Sequence, residues 1–172
     1  HLYDMAGVYL RYGVITVTNP DGTATSGQVF EVPRPYFQRK GITHREEALG
    51  KPGDAERLAI MVDLKDAPAP SGAPPTGTPA FPRDGAKNVL ENERVRMWDY
   101  TWTPGDAPVE RQYAHDSIEV IVTGGSIRTR TADGQETVRV VTPKEARFVR
   151  RGHRESQVAA SGAPRAITIE LK

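Results

Sequence analysis

The sequence predicts an all-β chain built from two related units, each a sandwich or barrel of short strands. Three observations carry this expectation: apolar residues alternate with a period of two, Asp-Gly pairs punctuate the runs, and one ordered series of motifs occurs twice. Helix-period apolar patterns are almost absent, and the one candidate, around residues 43–49, is a turn or two at most.

In chain order, Val8, Leu10 and Tyr12 alternate with Tyr9 and Arg11, and Leu58, Ile60, Val62 and Leu64 form a second set. Further on, Ile118, Val120 and Val122 alternate with Ser117, Glu119 and Ile121, and Ile167, Ile169 and Leu171 close the chain. Each set reads as a half-buried strand, because successive side chains point to opposite faces of a sheet. Asp21-Gly22 and Asp133-Gly134 supply the positive φ of tight hairpin turns, and Gly13, Gly124 and Gly125 mark bends. Residues 66–87 hold six prolines and three glycines, too few donors and apolar side chains for a sheet or core, and read as a surface linker. It separates a first unit, 1–65, from a second, 88–172.

The repeat lies in the order of its motifs. Gly7-Val8-Tyr9-Leu10, Asp21-Gly22, Arg39-Lys40-Gly41, His44-Arg45-Glu46 and Asp63-Leu64-Lys65 are followed by Glu119-Val120-Ile121-Val122, Asp133-Gly134, Arg150-Arg151-Gly152, His153-Arg154-Glu155 and Glu170-Leu171-Lys172. Alternation alone would not place all of these in one order, so the pattern implies a duplicated unit. The second unit has an opening section, 88–112, with Trp98, Tyr100 and Trp102 on one face of a strand. The first unit lacks a counterpart, which predicts that an upstream segment or a second copy, as in a homodimer, covers its bare sheet edges.

Composition excludes several functions. The 172 residues include 23 Lys and Arg against 22 Asp and Glu, a net charge of +1, so no single-sign field exists to hold nucleic acid or an anionic membrane. There is no cysteine, which removes disulfides, thiolate metal sites and thiol nucleophiles. The apolar runs are far shorter than the ~20 residues of a membrane-spanning helix. A soluble protein, cytoplasmic or periplasmic, with a small-molecule partner is expected. Gly124-Gly125-Ser126 lies between strands and is a turn, not a phosphate loop, and no nucleophile elbow is present.

The run Glu91-Asn92-Glu93-Arg94-Val95-Arg96-Met97-Trp98-Asp99-Tyr100, with Pro104-Gly105, Pro108, His115-Asp116, Thr123-Gly124-Gly125, Asp133-Gly134 and Gly152, resembles small single-domain cupins annotated in β-alanine degradation. The repeat extends the likeness to 1–65, so the chain is similar to a bicupin. The resemblance implies two tandem double-stranded β-helix jelly rolls, the first without its opening strands, each with a pocket in the barrel mouth. In metal-binding cupins, one strand carries His-x-His with a later Glu or His, and a second strand carries a His three residues after a Gly. Here Glu110 and Gln112 stand at the His-x-His places, His115 at the later one, and Glu155 at the spacing from Gly152, with His153 two residues early; His44 follows Gly41 at the family spacing.

Glu110, His115 and Glu155 would form a mixed oxygen and nitrogen set for Mn, Fe, Ni or Zn. Replacement of two imidazoles by a carboxylate and an amide favours instead a degenerate site. The leading expectation is therefore a bicupin that binds a small molecule or has no catalysis. The alternatives are a metal-dependent dioxygenase, lyase or isomerase acting on a small carboxylate or sugar-derived substrate, and a structural or oligomerising β-module. The basic group Arg147, Arg150, Arg151 and Arg154 could hold a carboxylate or phosphate, although alternation sends about half of it to solvent.

Overall fold

The computed structural model describes residues 1–27, 29–51, 54, 56–66 and 75–172. The chain divides into two compact units, His1–Pro68 and Ala69–Lys172. The described residues form strands and connections without a helix, so none is long and apolar enough to cross a membrane.

The first unit contains β1 (Asp4–Arg11), β2 (Ile15–Thr18), β3 (Ala24–Ser26), β4 (Arg34–Gln38), β5 (Arg45–Ala48) and β6 (Leu58–Leu64). β1 lies between β4 and β6, and β2 between β3 and β5, all antiparallel. The helical turn expected around 43–49 is not formed. Residues Arg45 to Ala48 are β5, paired with Thr18 to Ile15, because the free edge of β2 offers a ladder that a helix of this length could not match.

The second unit contains β7 (Lys87–Glu91), β8 (Val95–Thr101), β9 (Arg111–Gln112), β10 (Asp116–Thr131), β11 (Glu136–Val141), β12 (Ala146–Val149) and β13 (Arg154–Leu171). The main sheet has the order β11-β10-β13-β8-β7, with β12 on β10 and β9 on β13. The first half of β10 pairs with β12 and the last part of β13; its second half pairs with β11 and the first part of β13. The same neighbour relations hold for β1 with β4 and β6, and for β2 with β3 and β5.

Local details recur as well. Asp4 accepts the backbone N–H of Lys40 at 2.8 Å and Asp116 that of Arg151 at 2.7 Å. The glycines of the two Asp-Gly turns, Gly22 and Gly134, have φ of 83° and 86°, the left-handed conformation the sequence calls for.

Two expectations need correction. Two of the stretches expected to be half-buried are buried more fully: Ser117, Glu119 and Ile121 are buried along with Val120 on β10, and every residue from Ala166 to Glu170 is buried on β13. There both faces are covered, so the polar face of β10 over 117–121 is an interior face. The stretch 66–87, expected as a surface linker, is mostly exposed where it is described but is anchored at one point. Ala80 and Phe81 are buried with Trp98, Tyr113 and Val149, and Pro79 bridges to Gln112, because the short apolar pair fills the space beside the aromatic strand. Residues 67–74 lie outside the described residues. Phe81 stacks on Trp98 at 5.7 Å and Tyr100 meets Trp102 edge-on at 5.3 Å, so the aromatic row packs the interior of its own unit.

Gly7 of β1 faces β6 so closely that a methyl group there would run into the backbone oxygen of Ile60 and the sulfur of Met61. Gly7→Ala is predicted to cost about 1–3 kcal/mol, read as a lower denaturation midpoint, whereas an alanine at the open turn position Gly50 costs less.

Candidate functional site

Opposite residues in a ladder share a face, and this rule builds the site. Glu119 on β10 pairs with Arg147 on β12 and with Thr168 on β13, and Thr168 pairs with Trp98 on β8. All four therefore point to the interior of the second unit. Glu155, at the start of β13, lies opposite Arg111 of β9. Tyr113 follows β9 and is locked between two backbone bonds, its N–H donating to the carbonyl of His153 and its carbonyl accepting from Gly152.

These side chains meet. The Tyr113 hydroxyl donates to Glu119 at 2.5 Å and lies 3.3 Å from Glu155. Arg147 Nε donates to Glu119 Oε2 at 3.0 Å, Nη1 donates to Glu155 Oε2 at 3.2 Å, and Nη2 contacts Glu155 Oε1. His153 Nε2 stands 3.1 Å from Glu155 Oε2. Glu119, Tyr113 and Glu155 are 1%, 2% and 3% exposed. Two carboxylates thus sit in the barrel interior with one guanidinium between them. A third, Glu170, accepts the indole N–H of Trp98 at 2.7 Å.

Burial alone would raise the pKa of Glu155, but the bonds and charge of Arg147, assisted by His153, outweigh it and hold the carboxyl below its ordinary value of 4.5. Burial likewise works against the Arg147 charge, and Glu119 and Glu155 overcome it, so the guanidinium is held more firmly protonated than usual. Burial first, then the two carboxylates, push the Tyr113 phenol well above 10.0. Tyr113 is therefore a fixed donor at neutral pH, not a base or nucleophile.

A cavity of about 410 Å³ opens beside this cluster, with Tyr113 and Glu155 in its wall together with Arg83, Tyr100, Arg111 and Gln157. Of the ligand-pocket residues expected from the sequence, only Glu155 lines it. Glu110 is exposed and borders a different cavity with Arg128 and Arg130. Gln112 acts as a latch, its amide oxygen accepting from Gly77 N–H at 2.9 Å and its amide nitrogen donating to the Gly152 carbonyl at 3.2 Å. His115 is half-buried, and its carbonyl accepts the Ser117 hydroxyl. His153 braces Glu155 without lining the cavity. His44 makes the matching contact in the first unit, 3.2 Å from Glu46, and borders a cavity of about 380 Å³ with Tyr9 and Tyr36. There Gly7 pairs with Tyr36 where the second unit pairs Glu119 with Arg147, and the first unit gathers Arg57, 3.1 Å from Glu46 and bonded to the Tyr9 hydroxyl, around its His-x-Glu contact, with a single and more exposed carboxylate.

The expected metal set of Glu110, His115 and Glu155 is not brought together, and no group of three His, Asp or Glu side chains able to hold a metal ion occurs among the described residues. The interior donors do not fit a resident Mn, Fe, Ni or Zn ion, because the positive charge that Glu119 and Glu155 require is already supplied by Arg147. Sequence reading missed Glu119 and Tyr113 as site residues and placed Arg147 in a basic group able to hold a carboxylate, without telling which of its members turns inward. The one signal in the strand was Ile121, an apolar residue on the same face as Glu119, which alone does not tell a polar interior face from a solvent face.

No family model matches the chain, and no curated protein matches it. Among solved structures, a cupin 2 conserved barrel domain protein from Leptotrichia buccalis is 12% identical, covers 99% of this chain and 74% of its own, and superposes with a TM-score of 0.55. The fold is a cupin jelly roll. A cupin domain from Bordetella pertussis Tohama I is 22% identical over 54% of this chain and 99% of its own, at a TM-score of 0.47. A cupin superfamily protein from Desulfitobacterium hafniense DCB-2 is 17% identical over 50% and 74%, at 0.41. Identities this low bear on fold and not on activity, so the chemistry of this cupin barrel rests on its own residues.

Removing the interior cation leaves two buried carboxylates unpaired. Arg147→Ala is predicted to lower stability by about 3–5 kcal/mol, with part regained when Glu119→Gln is added, both read from chemical denaturation. Because the folded pKa of Glu155 is depressed, its pairing contributes fully above the unfolded value of 4.5 and is lost as the pH falls below it toward the lower folded value. Wild type is predicted to lose stability more steeply than Glu155→Gln over that acid range; equal slopes in the two proteins would contradict the assignment.

Proposed function

We propose that this cupin-fold protein binds a small molecule in the pocket of its second unit and does so without a metal ion. The observation that carries the reading is the position of Arg147, which lies between Glu119 and Glu155 and supplies the cation of the barrel interior. A guanidinium cannot exchange ligands or act as an open Lewis acid, so the carboxylates serve to fix Arg147 and Tyr113. The Gln157 side chain in the cavity wall suits a ligand held by hydrogen bonds, and the volume of about 410 Å³ falls within the range of small-molecule sites.

The pairing also supports a binding role over acid–base catalysis. Glu155 bonds to Arg147, Tyr113 and His153 at once, Glu119 to Arg147 and Tyr113, and the raised Tyr113 pKa keeps its proton in place. The two carboxylates and the phenol are committed to one another and to Arg147, which suits a supporting part in the pocket wall. Tandem duplication of the jelly-roll unit, supported by the shared strand pairings and the matched Asp4 and Asp116 contacts, accounts for the second His-x-Glu pair at His44 and Glu46.

Elemental analysis tests this directly. Protein incubated with Mn(II), Fe(II), Ni(II) and Zn(II) in turn and then desalted is predicted to retain fewer than about 0.1 ion per chain. Retention of about one ion per chain, lost on Glu155→Ala, would overturn the reading.

A further inference from the structure

We infer that Arg83 and Arg111 form a clamp for a carboxylate group of the ligand in the second-unit pocket. The inference rests on the reading of that pocket as the ligand site and adds the chemical class of the ligand and the residues that select it. Both guanidinium groups line the same cavity, and neither has a carboxylate within ion-pair distance among the described residues.

Each is held in place by groups that leave its charge unmatched. Arg83 Nε donates to the Ala80 carbonyl at 2.9 Å, and its guanidinium lies over the rings of Phe81 at 4.2 Å and Tyr100 at 4.4 Å. Arg111 Nη1 donates to the Pro79 carbonyl at 3.2 Å. The consecutive carbonyls of Pro79 and Ala80 thus orient both arginines, and the Nη atoms of Arg83 and the Nε and Nη2 of Arg111 remain as donors. Fixed forks of this kind match the paired oxygens of a carboxylate.

The neighbouring acids do not satisfy them. Glu155, across the ladder from Arg111, is bound by Arg147, and Asp106 accepts the Thr103 N–H at 3.4 Å. Asp84 also lines the cavity. Burial most, and then the charge of Arg83, destabilise the charged form of Arg111, and the attraction of Asp84 is weaker than that repulsion. An anion entering between the two arginines relieves both penalties. The polar walls beyond them, Thr101, Tyr113 and Gln157, suit a ligand that carries hydroxyl groups as well.

Thermal shift of the intact chain at constant ionic strength tests the clamp with acetate, L-lactate, succinate and D-gluconate, with neutral D-glucitol and inorganic phosphate as comparators. At least one carboxylate is predicted to raise the melting temperature in a saturable manner, with an apparent affinity that falls about tenfold or more in both Arg83→Gln and Arg111→Gln. In buffer free of carboxylates and phosphate both variants are predicted to melt cooperatively, so that the loss of response is read on folded protein. The clamp is overturned if no carboxylate responds, if the variants respond as wild type does, or if phosphate binds more tightly than every carboxylate. A response to D-glucitol that is insensitive to both substitutions would also overturn the clamp, yet leave the pocket as a small-molecule site. Stoichiometric metal in the same samples would instead overturn the reading of the pocket on which the clamp rests.

Discussion

The second unit depends on a charge balance inside its barrel. Glu119 and Glu155 are almost wholly removed from water, and an ionised carboxylate in such a place is tolerated only when paired and hydrogen-bonded. Arg147 answers both with three nitrogen atoms, and the Tyr113 hydroxyl covers the remaining gap between them. The positions of β10, β12, β13 and the segment after β9 are tied together through this one knot, because each contributes a member. It holds together the wall on which the pocket stands.

The same balance separates this barrel from a metal centre. A divalent ion and a guanidinium can each satisfy two carboxylates, but only the ion offers open coordination positions and exchangeable ligands. On the proposed reading, the barrel keeps the fold of a cupin and the guanidinium takes the part that a metal ion would otherwise play in neutralising the two carboxylates. Specificity then passes to the wall of the cavity, where Arg83 and Arg111 are positioned by backbone carbonyls and aromatic faces. A stretch rich in proline supplies those carbonyls; lacking donors for a ladder, its carbonyl oxygens are left for side chains.

Much of the fold was legible in the sequence. Period-2 alternation and the Asp-Gly pairs announced the strands and turns, since these are local rules that tertiary packing seldom overrides. The resemblance of 88–172 to small cupins pointed to the jelly roll. The failures came where packing decided the outcome. Alternation cannot distinguish a solvent face from a polar interior face, so the surroundings of Glu119 were misread. Proline content describes what a segment cannot pair with, not whether a neighbouring Ala80 and Phe81 will be buried. In the site, all five residues of the second unit were drawn from the family's metal pattern: Glu155 with its companion His153 lands in the interior cluster, while Glu110, Gln112 and His115 are dispersed to a rim, a latch and a turn. Arg147 and Tyr113 could be recognised only once the ladder placed them opposite and beside the carboxylates.

A double-mutant cycle between Arg147→Met and Glu119→Gln, measured by chemical denaturation at neutral pH, probes the interior ion pairing most directly. The account predicts a coupling energy of about 1.5 kcal/mol or more, because each group exists to neutralise the other. A coupling near zero would show that Glu119 is satisfied by something other than Arg147, and would contradict the guanidinium as the cation of the barrel.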